Sequence, residues 1–92
     1  LIVGSDSTTD MFYSNCVIIL DNILSDKTLT LPDPSSSIGR VYYIFNANTL
    51  SASYHLSRAI FTTGNTAYFT ITGNTTYHAM IVSDGAKWLQ LN

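Results

Sequence analysis

The groups best suited to chemistry in this chain are two histidines, His55 and His78, one cysteine, six aspartates and the aromatic rings of six Tyr, four Phe and Trp88. A hydroxyl nucleophile needs a base beside it and a third group to orient that base. Ser, His and Asp are all present, but no Gly-x-Ser-x-Gly turn presents a serine and neither histidine sits in a motif. A glycosidase pair needs two carboxyls facing each other across a cleft. The chain has no Glu, and Asp21, Asp26, Asp33 and Asp84 stand in turn contexts, where a short carboxylate bonds to nearby backbone. Asp6 and Asp10 bracket a Ser-Thr run but lack the Gly and bidentate Glu of a calcium loop. A lone Cys16 makes neither a disulfide framework nor a Cys-based zinc site, and in Asn15-Cys16-Val17-Ile18-Ile19-Leu20 it reads as a buried, inert thiol. A histidine meeting its symmetry mates on a threefold axis is the remaining metal arrangement, and it has no His-x-His spacing behind it. There is no Gly-rich phosphate loop, and Asn74-Thr75-Thr76 is a glycosylation acceptor only in a eukaryotic host. No enzyme activity, metal or cofactor is expected.

The aromatic rings are the remaining resource. Exposed Tyr and Trp rings stack on sugar faces while Asn, Asp and His side chains bond the hydroxyls, and the candidate ligand-binding residues are Tyr54, His55, Arg58, Tyr68, Tyr77 and His78. Core or interface packing is the competing role for such rings. For Trp88, in a terminal hairpin, packing is the expected one. Strand alternation places Tyr54, Leu56 and Arg58 on one face and His55 and Ser57 on the other, which splits the densest part of the set.

These side chains must be positioned by a small scaffold. Its 92 residues suffice for one domain with a modest core. Charged residues are only 11%, and Ser, Thr and Asn take their place. With four Lys and Arg and a net charge of −2, the chain lacks the positive clusters that nucleic acid and anionic membranes require. Its longest apolar runs, 16–20 and 41–45, are far below the roughly 20 residues of a membrane span. Residues 1–10 read as a linker from a preceding part of a longer protein, and 11–92 as a single β-domain.

Strands are expected at about 16–20, 27–31, 41–45, 53–61, 67–71, 77–83 and 87–91, spaced as in an all-β fold. Residues 11–20 also admit a helix, but Val17-Ile18-Ile19 favours a buried strand. Pro32 ends the alternating 27–31 segment, and 32–37 is read as loop. The 41–45 strand is apolar on both faces, which suits the centre of a sandwich or a subunit interface. Residues 46–48 form a turn. Asp84-Gly85 between two apolar runs is a hairpin signal. Thr63-Gly64-Asn65-Thr66-Ala67-Tyr68 echoes as Thr72-Gly73-Asn74-Thr75-Thr76-Tyr77, which implies two similar turns at the ends of the 67–71 strand.

Two segments carry a resemblance. Thr28-Leu29-Thr30-Leu31-Pro32 runs into Gly39-Arg40-Val41-Tyr42-Tyr43-Ile44-Phe45-Asn46, and the domain closes on Ser83-Asp84-Gly85-Ala86-Lys87-Trp88. In this order they resemble the C-terminal β-module of bacteriophage tail fibre and receptor-binding proteins. The resemblance implies a small antiparallel, sandwich-like or β-prism module that is homotrimeric and faces a receptor. It implies a structural and attachment role toward a host-cell surface glycan or protein, on the virion and outside the cell, without catalysis. In a bacterial protein the same domain would be secreted or at the cell surface. Pro32, Gly39, Asp84, Gly85 and Trp88 take structural roles in it. The alternatives are a monomeric carbohydrate-binding module of a secreted modular protein and a capsid or baseplate domain without ligand.

Overall fold

The computed structural model describes residues 2–4 and 16–92, with Cys16 described by its backbone alone. The linker expected at 1–10, the domain start at residue 11, the Asp6 and Asp10 loop and the burial of the Cys16 thiol lie outside the described residues. The rest is all-β: β1 (Ile2–Val3), β2 (Cys16–Leu20), β3 (Lys27–Leu29), β4 (Val41–Asn46), β5 (Tyr54–Phe61), β6 (Ala67–Ile71), β7 (His78–Ser83) and β8 (Trp88–Gln90). The strands join into one sheet in the order β1-β2-β4-β7-β8-β5-β3, with β6 also on β5. The sheet curls into half a barrel.

The sheet is mixed, where sequence reasoning expected an antiparallel module. Antiparallel ladders join β4 to β7, β5 to β6 and β7 to β8. Parallel ladders join β1 to β2, β2 to β4, β3 to β5 and β5 to β8. Turn residues mark only partners linked by a tight turn, whereas parallel partners are linked by long crossovers that leave no local signal.

β5 organises one half of the sheet. The start of its one edge pairs with β3 and the end of that edge pairs with β8, so these two short strands lie end to end along it. Its other edge carries β6, interrupted by an irregularity between His55 and Ile60. A bulge bends a strand and re-aims its side chains. This one turns Arg58 out to solvent, correcting the expected common face with Tyr54 and Leu56, both of which are buried.

The core fills the concave side. Ile18 and Leu20 of β2, Tyr42 and Ile44 of β4, Ile81 of β7, Ile60 of β5 and Trp88 of β8 are wholly buried there. The Tyr42 and Trp88 rings meet at 5.4 Å and 44°, and Trp88 Nε1 donates to the Pro32 carbonyl at 2.9 Å. β2 is a strand as expected, but only half-buried, because Val17 points outward at 52% exposure. β4 divides likewise, with Tyr42 and Ile44 inward and Phe45 outward.

The connections follow local chemistry. The segment read as plain loop contains a 3₁₀ turn, Pro34–Ser36, started by Asp33, whose Oδ1 accepts from Ser35 N at 3.0 Å. In the β7–β8 hairpin Asp84 Oδ1 accepts from Ala86 N and Lys87 N, both at 2.8 Å, and Gly85 takes φ +95. The echoed turns share a left-handed asparagine, Asn65 at φ 62 and Asn74 at φ 54. Gly73 serves a different need: a Cβ there would collide with the Ala52 and Leu50 carbonyl oxygens.

Candidate functional site

The six candidate residues separate into several environments. Tyr54 belongs to the core. Its hydroxyl donates to the Val3 carbonyl at 3.1 Å and the Asp21 carbonyl at 2.6 Å, and burial pushes the phenol up to about 12. It presents no ring to a ligand. His55 lies on the opposite face of β5, exposed, with Nε2 2.9 Å from Asp26 Oδ2 and Nδ1 3.4 Å from Thr70 Oγ1. Asp26 accepts a backbone bond from Ser53 N, and this together with the His55 contact holds its carboxyl below the usual range. Arg58 lies 4.0 Å from Asp33 Oδ2, at the limit of an ion pair between two exposed groups.

Tyr68 and Tyr77 do come together. Tyr68 Oη donates to Gln90 Oε1 at 2.7 Å and lies 2.5 Å from Tyr77 Oη, with the rings edge to face at 6.0 Å. Since Tyr68 gives its proton to Gln90, Tyr77 is the donor in the pair. Burial raises both phenols above their ordinary value. His78 stacks on Tyr43, centroids 6.4 Å apart, and sits opposite Phe45 in the β4–β7 ladder.

Sequence reasoning missed the concavity beside Tyr77. A groove of about 300 Å³ runs between residues 45–49 and residues 74–77. β4 delivers Phe45 and Asn46 to one wall, and the turn between β6 and β7 delivers the other. Asn46 stitches them: its N donates to the Tyr77 carbonyl at 2.9 Å and its Nδ2 to the Thr75 carbonyl at 3.0 Å. Asn74 N donates to the Asn48 carbonyl at 3.2 Å, and Asn48 Nδ2 to the Ala52 carbonyl at 2.7 Å. Asn46 and Asn48, read as turn residues, are therefore buried structural amides. The groove lining holds no Lys, Arg, His, Asp or Glu. The available signals were Asn46-Ala47-Asn48 and the Gly73-Asn74-Thr75 echo, both of which mark turns but not that the turns face each other.

No group of three or more His, Cys, Asp or Glu suited to a metal ion occurs among the described residues. No helix among them is long and apolar enough to cross a membrane. Comparison with known proteins found no matching family model, no similar curated protein and no similar solved structure.

Proposed function

We propose that this domain is a structural and receptor-binding module of a phage tail fibre or similar viral fibre, a non-catalytic homotrimer that attaches to a host-cell surface glycan or protein from the virion. The observation that carries this reading is the convex face of β2, β4, β7 and β8. Val17, Tyr43 and Met80 stand in register across three strands, and Leu91 N donates to the Met80 carbonyl at 2.8 Å, extending the row. Val41, Val82 and Leu89 form a parallel row beside it. None of these side chains is charged, and Met80 and Leu91 are 41% and 53% exposed. A sheet face that meets water normally alternates to polar residues, and a contiguous apolar patch marks an interaction surface. A second and third copy of the chain supply matching, largely apolar faces, with His78 stacked on Tyr43 at their margin.

The segments that carry the fibre resemblance support the reading from inside the fold. Trp88 bonds Pro32, Ser83 Oγ donates to the Pro34 carbonyl at 2.7 Å, and Gly39 N donates to the Ser83 carbonyl at 2.9 Å. The three segments thus form one packed unit, as a module's shared frame should. The runner-up, a monomeric carbohydrate-binding module, draws on the groove, which is complete within one chain.

Light scattering across a dilution series is the test. A trimer that persists at low micromolar concentration is expected, and Met80→Lys is expected to convert it to a folded monomer, with the far-UV circular dichroism unchanged. A monomer at every concentration overturns the reading and promotes the runner-up.

A further inference from the structure

We propose that the groove between residues 45–49 and 74–77 is a binding site for a neutral sugar unit of a surface glycan; this deepens the reading of the domain as an attachment module and rests on it. Small-ligand sites are concave, largely preformed and lined by apolar rings with a few polar groups, with volumes of roughly 300–1,000 Å³. The groove, at about 300 Å³, stands at the small end of that range, the size for one sugar unit and not a polymer.

Its chemistry selects the class. Phe45, 47% exposed, is the aromatic residue of one wall, and the C–H face of a pyranose packs on such rings. Asn74 and Thr76 line the other wall, and neither side chain makes a hydrogen bond among the described residues. An amide carries donors and an acceptor close together, and a hydroxyl serves as both, which suits neighbouring sugar hydroxyls. With no charged side chain in the lining, an anionic sugar would be desolvated without a counter-charge.

The site is also preorganised. The amides of Asn46 and Asn48 are spent on the Thr75 and Ala52 carbonyls, and Asn74 is fixed at φ 54. Ordering costs on binding are small when the walls are already held. A single shallow site of this kind binds weakly, and three copies on one fibre tip multiply the strength by avidity, on the order of 10²–10⁴.

The test is a printed array of neutral and sialylated oligosaccharides, probed with the intact domain, followed by a ¹⁵N NMR titration with the bound oligosaccharide. Binding to neutral members is expected, with saturable shifts at residues 45–49 and 74–77. Phe45→Ala and Asn74→Gly, the latter compatible with the left-handed backbone, are each expected to weaken binding at least tenfold while the remaining amide signals stay in place. Thr76→Val gives a third check that leaves the turn backbone alone. No binding on the array, binding to sialylated members alone, or shifts that map elsewhere overturns the proposal. Light scattering on the same sample separates the two readings: a monomer that binds sugar at the groove keeps the site and loses the fibre trimer, whereas a trimer that binds none keeps the trimer and loses the site.

Discussion

Gly64 and Gly73 hold the same place in the echoed Gly-Asn-Thr step, yet they answer to different constraints. Neither has a positive φ, so backbone freedom does not explain them. At Gly64 the nearest atom to an added Cβ is Thr62 Oγ1 at 3.8 Å, ordinary contact. At Gly73 the neighbours are backbone carbonyls that cannot step aside. Gly64→Ala is expected to change stability by no more than about 0.5 kcal/mol. Gly73→Ala is expected to cost on the order of 2 kcal/mol or more, because the β4–β5 loop must shift. Urea unfolding of the two variants checks this, and equal midpoints would refute the close-approach account. At this scale Asp33, Asp84 and Trp88 were legible, as two turn carboxylates and a packing indole, whereas Asp26 bonds Ser53 and His55 across the fold. Tyr54 was not legible, since a tyrosine in a strand carries the same letter whether its ring meets solvent or the core.

Elements differ in how much of their pairing is written locally. The β7–β8 hairpin is readable from Asp84-Gly85, because one carboxylate and one left-handed glycine fix it. The parallel ladders are not, since β2 meets β4 and β5 meets β8 through partners distant in sequence. The bulge in β5 was equally silent, and it decides where Arg58 points. The groove was lost for the same reason, as its walls lie on two turns that only the assembled sheet brings together. One link between elements is testable by coupling. The Tyr77, Tyr68 and Gln90 chain joins β6, β8 and the approach to β7. A double-mutant cycle of Tyr68→Phe and Tyr77→Phe is expected to return an interaction of about 1 kcal/mol, read from urea midpoints. Additive effects would mean that the two hydroxyls act independently.

At the scale of the whole molecule, stability should fall at both ends of the pH range. Asp26, Asp33 and Asp84 are held below the ordinary value of 3.8, chiefly by backbone N–H groups that bond their carboxylates. A depressed carboxylate stabilises the fold above its unfolded value, and that contribution is lost as pH falls below 3.8 through the folded values. The buried phenols act in the opposite sense. Tyr54 is raised from 10.0 to about 12, so its contribution is complete below pH 10 and is lost as pH climbs toward 12. Thermal melts from pH 2 to 12 are expected to give a plateau bounded by an acid decline and an alkaline decline. Asp84→Ala should lower the melting temperature at pH 7 and shrink the acid decline. An alkaline arm unchanged by Tyr54→Phe would reassign that limb to the other raised phenols, Tyr68 and Tyr77. The all-β class was legible at this scale because spacing and turn residues repeat along the chain. The curl of the sheet was not, because it depends on how three short strands share the two edges of β5.

That sharing sets the order in which the fold becomes complete. β8 follows the other described strands in sequence, yet it closes the edge of β7 and the second half of the β5 edge, and it brings the indole that caps Pro32. A chain made from its N-terminus forward holds both edges open until residues 88–90 emerge from the ribosome. Chains growing side by side on one message each present the same vacant slot, and each later delivers the strand that fits it. In a protein assembled from several copies, the moment of subunit encounter and the moment of domain closure then coincide, and the short segment 88–90 governs both.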